Sequence, residues 1–254
     1  MSNFATPAIM LRRVDFGDYD LIITFFTLKQ GKKSVIAKSA KKSTKRFAGI
    51  LELFSVLDIV FGKGRGTGLP VLQEAALKHP FAGIRCDIIT TAYASYWAEL
   101  INEWMEEGQK MDQLYYLFKY ILGELDHGRM PAAGLSILFQ LRFLTISGLR
   151  PNLRYCSSCR NEIDGINENT FTFDLQKGGL VCGVCAPAAS GRISLSKGTI
   201  KQLIWIKNKD LARAGRIKFT SQALKEGLAF VEAFVPYHIG KELRSLTFLK
   251  QIRK

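Results

Sequence analysis

Apolar and polar positions follow two different periods along the chain, and the change falls near residue 80. Before it, apolar stretches are short and separated by polar or glycine-bearing turns. Ala8-Ile9-Met10-Leu11 comes first, then a polar turn from Asp15 to Asp20 containing Gly17, then Leu21–Leu28, dense in Ile, Thr and Phe. Gln30-Gly31-Lys32-Lys33 turns into Ser34-Val35-Ile36-Ala37, and Glu52–Phe61 is rich in Val, Leu, Ile and Phe. Val71–Leu77 returns after a glycine-rich connection, Gly62–Gly68, that suits a flexible hairpin. Runs of this length and composition read as strands. Five short strands with tight connections predict a small closed barrel, an OB fold by preference, with an SH3-like barrel as the rival.

From Phe81 onward the spacing is helical. Ile88, Ala92, Tyr96 and Leu100 recur at steps of four within Ile84–Glu107, which predicts one long helix ending at Gly108. Met111–Leu125 carries Leu114, Leu117, Phe118, Ile121, Leu122 and Leu125 on one stripe. Pro131 stands where a third helix should start, and Leu135–Ile146 is apolar nearly all round, as in the middle of a bundle. After Gly191, Ser196 caps a helix to about Asn208, and Ser221–Phe234 with a segment from His238 completes a C-terminal helical part. The predicted class is α+β and multi-domain: an OB-fold barrel over 1–80, helices over 81–150, a cysteine module over 151–190 and further helices over 191–254.

That module is the most specific chemical signal. Cys156/Cys159 and Cys182/Cys185 form two Cys-x-x-Cys pairs with 22 residues between them. Two intervening residues let both sulfurs of one turn reach the same ion, and a second such turn completes a shell of four thiolates. Gly178-Gly179-Leu180-Val181 leads into the second pair as a short strand entering a knuckle. A redox pair would open a helix after a strand; here Pro187 follows Cys185 closely. The expectation is one structural Zn2+, closed and without catalytic work. The remaining cysteine, Cys86, is single, which with four metal-bound thiols points to a reducing cytoplasm. The start, Met1–Leu11, lacks the charged opening and long apolar stretch of a signal peptide, and no apolar run reaches bilayer length.

Charge adds a partner. The net charge of +14 is spread as +7 over 1–80, −2 over 81–150, −1 over 151–190 and +10 over 191–254. Two basic ends around a slightly acidic middle suit a polyanion, because clustered Lys and Arg release condensed counterions on binding. Lys38-Ser-Ala-Lys-Lys-Ser-Thr-Lys-Arg46 is the densest basic segment, a loop expected to be mobile in the free protein. On a barrel it would extend the binding face through Lys41, Lys42, Lys45 and Arg46. Phe47, just after, either stacks on a base or starts the next strand as a core residue. Gly62–Gly68 matches neither the P-loop nor the dinucleotide fingerprint, and Phe26 occupies the first P-loop glycine position relative to Gly31-Lys32-Lys33-Ser34. The three histidines, His79, His127 and His238, have no nucleophile or metal partner near in sequence. Glu99, Glu103, Glu106 and Glu107 read as a solvated helix face, so no enzymatic site is expected.

Several stretches resemble the RecO family of bacterial recombination mediators, and the resemblance runs nearly end to end. It is carried by Ala8–Thr27 around the turn Phe16-Gly17-Asp18-Tyr19-Asp20, by Gly31-Lys32-Lys33 with the basic loop and Leu51-Glu52-Leu53-Phe54, and by Leu144–Leu153 with its Gly148-Leu149-Arg150-Pro151-Asn152 before Cys156 and Cys159. The tail Tyr237–Leu249 is similar as well. The resemblance implies a non-enzymatic, nucleoid-associated DNA-repair protein. It would bind single- and double-stranded DNA, anneal complementary strands, and work with RecR to load RecA onto strands coated by single-strand-binding protein. The candidate DNA contacts are then Lys32, Lys33, Lys38, Lys41, Lys42, Lys45 and Arg46. The acidic tail of single-strand-binding protein, finished by an apolar residue, needs an apolar pocket rimmed by cations. Arg142, on the otherwise apolar helix Leu135–Ile146, is the candidate for that rim, against a structural role paired with Glu99 or Glu103.

Overall fold

The computed structural model describes residues 3–62, 64, 68–186 and 193–253. Part of the Gly62–Gly68 connection, Pro187 and Gly191 therefore lie outside the described residues. The chain divides into two compact units, Met1–His127 with Leu243–Lys254, and Gly128–Glu242. Its helices are α1 (Ile88–Trp104), α2 (Asp112–His127), α3 (Ala132–Ile146), α4 (Lys197–Asn208), α5 (Leu211–Ala214), α6 (Ser221–Ile239) and α7 (Arg244–Ile252).

In the first unit β1 (Asn3–Phe16), β2 (Asp20–Thr27), β3 (Gly31–Ala37), β4 (Val56–Gly62) and β5 (Val71–His79) close a barrel in the order β1-β2-β3-β5-β4. Neighbours are antiparallel except β3 and β5, which meet in parallel at Ile36 and Val71. This is OB-fold connectivity, and the SH3-like alternative falls. Alternation along the strands sends Leu21, Ile23 and Phe25 inward to meet Val35, Ala37, Leu57, Ile59 and Phe61. β1 is much longer than its apolar run Ala8–Leu11. A register shift between Met10 and Arg12 turns the strand, so its first half pairs with β4 and its second half with β2.

The expected helix Ile84–Glu107 is shorter at both ends. Ala82–Cys86 forms a 3-10 turn, and Asp87 leaves helical geometry so that its carboxylate accepts the Thr90 N–H at 2.8 Å. Trp104 ends the helix, which places Glu106 and Glu107 beyond it rather than on its face. Gly108, at φ 80°, donates its N–H to the Lys32 carbonyl at 2.9 Å. α7 packs on α1 and borrows its cap: Leu243 offers no side-chain cap, and the Glu99 carboxylate accepts from Arg244 N at 3.2 Å and Ser245 N at 2.8 Å. Two orphan donors and part of the helix dipole are satisfied by one anion.

In the second unit a three-stranded sheet, β7-β6-β8, is built from β6 (Thr170–Asp174), β7 (Gly179–Val181) and β8 (Ile193–Ser196). Phe173 of β6 lies 4.4 and 4.9 Å, centroid to centroid, from Phe230 and Phe234 of α6. α6 also packs on α3, and Gly227 permits the approach: a Cβ there would stand 2.9 Å from Ile137 Cδ1. α3 is buried nearly all round, as its sequence predicts, with Gln140 bonded to the Ser136 carbonyl and hydroxyl. Ser196 caps α4 through the Thr199 N–H. No helix among the described residues is long and apolar enough to cross a membrane.

Candidate nucleic-acid interface and metal centre

The seven cations singled out on the barrel fall into two groups. Lys32 and Lys33 lie on β3 and are engaged within their own unit: Lys32 Nζ donates to the Asn102 carbonyl at 2.6 Å, and Lys33 pairs with Glu107 at 3.4 Å. Lys38, Lys41, Lys42, Lys45 and Arg46 stand together on the loop after β3. That loop carries more local order than a mobile segment. Ser39 sits at φ 54°, Ala40–Lys42 makes a 3-10 turn, and Ser43 Oγ accepts the N–H groups of Arg46 and Phe47 at 3.1 and 3.0 Å. Lys41 reaches Asp15 at 2.9 Å across the β1–β2 hairpin. Lys42 Nζ lies 3.5 Å from the Tyr19 ring centroid, and Arg46 donates to the Lys38 carbonyl at 2.7 Å. Lys38 and Lys45 make no ion pair among the described residues.

Phe47 is a core residue, 3% exposed, with the Arg46 guanidinium 4.3 Å above its ring. The aromatic faces beside the loop come instead from the β1–β2 hairpin, where Phe16 is 52% and Tyr19 45% exposed. The sequence signal for them was present: two aromatics flanking Gly17-Asp18 at a turn cannot both point into the barrel. Gly17, at φ 58°, makes that turn. The assembled face therefore sets the loop cations beside two exposed aromatic rings on adjacent loops.

The four module cysteines converge. Their sulfurs all lie within 4.8 Å of one another, and Cys159 and Cys182 are 3.9 Å apart. Zinc–sulfur bonds of about 2.3 Å set tetrahedral sulfurs about 3.8 Å apart, so the set fits a four-thiolate metal site. No disulfide joins them. Each pair is shaped by backbone bonds: Arg160 N to the Cys156 carbonyl at 3.0 Å with Arg160 at φ 67°, and Cys185 N and Ala186 N to the Cys182 carbonyl at 3.0 and 2.9 Å. Asn152 organises the first knuckle, its Oδ1 accepting Arg154 N and Tyr155 N, both at 3.2 Å, and its Nδ2 donating to the Tyr155 carbonyl at 3.0 Å. Gly179 is required opposite it, because a Cβ would stand 2.4 Å from Ser157 Oγ and 2.9 Å from Asn152 Cβ.

The thiols are poised unevenly. Burial pushes Cys156 up, but N–H donors from Cys182, Cys159 and Ser158 outweigh it and bring the thiol down to about 6. Cys185 is pushed up to about 12, first by the Cys182 sulfur, then by burial and the other sulfurs. Four thiolates crowd one another, and a bound cation is what would let all four ionise.

Arg142 sits on α3 at the C-terminal end of α4. Its Nη2 donates to the Ile206 carbonyl at 2.8 Å and to the Lys209 carbonyl, while its buried Nε has no partner among the described residues. Burial lowers its pKa, and Asp210 acts in the opposite direction. Its contacts are carbonyls rather than Glu99 or Glu103; Glu99 caps α7.

Residues 1–81 match the family described as Recombination protein O N terminal, and residues 85–247 match Recombination protein O C terminal. The chain is 44% identical over 258 residues to the DNA repair protein RecO of Desulfosudis oleivorans, covering 100% of this chain and 99% of that one. It is 43% identical over 255 residues to the DNA repair protein RecO of Desulfatibacillum aliphaticivorans, with 100% and 99% covered. To the protein of that name in Anaeromyxobacter dehalogenans it is 32% identical over 252 residues, covering 99% and 98%. A closed barrel followed by a helical unit with a four-cysteine cluster, matched along both family domains, places this chain in the RecO family of DNA repair and recombination proteins.

Proposed function

We propose that the chain is a non-enzymatic mediator that binds DNA, anneals complementary strands and helps load a recombinase onto single strands coated by single-strand-binding protein. The observation that carries this reading is the barrel face on which Phe16 and Tyr19 stand exposed beside the loop cations. Annealing has a simple physical requirement: cations must relieve repulsion between two phosphate backbones while base edges stay free. Lys38, Lys41, Lys42, Lys45 and Arg46 supply the charge, and the hairpin rings supply sequence-tolerant stacking. Lys32 and Lys33, held by Asn102 and Glu107, contribute to the field of this face more than to direct contacts. In this reading the metal is one structural Zn2+ held by Cys156, Cys159, Cys182 and Cys185, and the protein works in the cytoplasm at the nucleoid. RecR is its partner, and RecA is served indirectly.

Arg142 keeps its place as the rim for the acidic tail of single-strand-binding protein, supported by an unpartnered Nε on a helix that is otherwise apolar. Its two carbonyl bonds favour a structural role at the end of α4. Arg142→Ala separates them: loss of tail-peptide binding at an unchanged melting temperature supports the rim, and a lower melting temperature with normal peptide binding removes it.

The test of the whole reading is annealing of complementary strands pre-coated with single-strand-binding protein, without nucleotide, across a salt series. Acceleration that weakens with salt is expected. A protein that binds acidic polypeptides equally well but does not anneal strands would be an interaction scaffold instead.

A further inference from the structure

Annealing needs contacts to a second strand, and the second unit carries exposed cations that make no ion pair among the described residues. α4 ends beside the chain that enters the first cysteine pair. Lys207, in the last turn of α4, donates to the Pro151 carbonyl at 3.3 Å. Burial lowers the Lys207 pKa, and the nearby guanidinium groups of Arg150 and Arg154 lower it further. Lys207 and Arg142 have a structural use, since cations stabilise the C-terminal end of a helix. Arg150 and Arg154 have none of this kind: both are exposed, and among the described residues neither side chain makes an ion pair or bonds to a carbonyl. Their repulsion is a cost that the fold alone does not require.

Arg154 also lines an open cavity of about 350 Å³ together with Leu153, Ile200, Ile204, Trp205 and Lys209. Trp205 is 39% exposed, and its ring has no aromatic partner among the described residues. The carboxylates lining this cavity are Glu162 and Asp164. Asp164 is taken by Lys201 at 3.6 Å, and Lys197 is spent on the carbonyls of Asp164 and Ile166 at 3.1 and 3.0 Å. Among the described residues Arg154 and Lys209 are left without an ion pair on the cavity that holds the indole, and Arg150 joins Arg154 near Lys207.

We propose that Arg154, Lys209 and Trp205, with Arg150 beside them along the chain entering the first cysteine pair, form a second single-strand contact site, the cations pairing with successive phosphates and the indole stacking on a base. This rests on the reading of the chain as an annealing protein and adds a site on the metal-bearing unit. A strand is favoured over an acidic peptide because the cavity wall itself carries Glu162 and Asp164. They would oppose a run of peptide carboxylates, whereas a base laid on Trp205 brings no charge there. Guanidinium groups beside an exposed indole are what a phosphate–base repeat requires. The backbone of Arg154 is fixed by Asn152 Oδ1 and by the Ile163 N–H, which ties this site to the first cysteine knuckle.

The experiment uses the full chain, titrated with oligothymidylate while tryptophan fluorescence is read, followed by annealing of complementary strands. Trp97 is fully buried but Trp104, on the barrel-bearing unit, is only half-buried, so the titration uses a Trp104→Phe background in which Trp205 should dominate the quenching. Quenching is expected in that background and lost when Trp205→Phe is added. Arg150→Ala/Arg154→Ala should slow annealing roughly tenfold and flatten the log–log salt slope by about 1.4, the value for two lost phosphate contacts on a single strand. Arg150→Lys/Arg154→Lys, matched in charge, should keep most of the rate and guards against a folding artefact. Wild-type annealing in the alanine variant, or quenching that survives Trp205→Phe, overturns the second site while leaving the barrel reading intact. Loss of acidic-peptide binding in the alanine variant with annealing unchanged replaces the strand by a peptide. A wild type that does not anneal at all removes the functional reading and this site with it.

Discussion

Replacing Lys38, Lys42, Lys45 and Arg46 together by alanine isolates the electrostatic share of DNA binding on the barrel. Among the described residues none of these four is paired with a carboxylate, whereas Lys41 already faces Asp15 at 2.9 Å. A cation with a protein counter-anion displaces fewer counterions from DNA, so Lys41 is left in place. Each phosphate contact on a single strand contributes about 0.7 to the slope of log affinity against log salt, and four lost contacts flatten that slope by about 2.8. Between about 50 and 200 mM salt the affinity advantage of the wild type over the variant should therefore shrink roughly 50-fold. Lys38 and Lys45 are exposed, but Arg46 gives up a carbonyl bond and its place over Phe47 and Lys42 its place over Tyr19, so stability should fall by about 1–2 kcal/mol. Anisotropy of a labelled oligothymidylate across the salt series measures the slope, and thermal melting checks the fold. Parallel salt plots for wild type and variant would refute the reasoning. Lys32→Ala is the contrast: it loses a bond to the Asn102 carbonyl and should lower the melting temperature while leaving the slope nearly unchanged.

Three further outcomes follow from the second unit. Protein purified without chelator should hold one zinc per chain by elemental analysis, and Cys159→Ser should lose it and melt earlier; absence of stoichiometric metal in the wild type would remove the metal assignment. Gly179→Ala forces a Cβ into 2.4 Å contact with Ser157 Oγ, and should cost about 1–3 kcal/mol in denaturant titration, with an unchanged midpoint counting against the packing described. Glu226 is a pH probe: burial raises its pKa, but bonds from Thr199, Ser196 and Gln222 prevail and depress it. A depressed folded pKa means stability that is present above the unfolded value of about 4.3 and lost as pH falls through the folded one. Glu226→Gln should accordingly melt earlier than wild type at neutral pH, and the gap should close in acid; a gap that persists at low pH contradicts this.

Local pattern alone determined a large part of this protein. The period change near residue 80 separated strands from helices, Ser196 marked the start of α4, and the spacing of four cysteines announced a converging cluster that could hold a metal ion. Each of these is written in residues near one another, where dihedral preference, capping and ligand reach decide the outcome. Tertiary structure decided what depends on residues far apart. The strand order needed the bulge in β1, which lets one strand serve two neighbours, and no periodicity of two reveals a turn of that kind. Phe47 and Phe16 are both aromatic and both adjoin polar turns, yet one fills the barrel and the other stands outside it, because closure of the sheet fixes which side each faces. β6 and β8 are too short to announce themselves and exist because they pair with each other and support α6. Glu99 reads as a solvated helix carboxylate until α7 returns to α1 and presents two unsatisfied N–H groups. Arg142 stands on an apolar helix and Arg150 just beyond its end, yet only packing shows that the first is held by the carbonyls at the end of α4 while the second makes no ion pair among the described residues; burial and partner geometry are properties of the assembled fold, not of the segment.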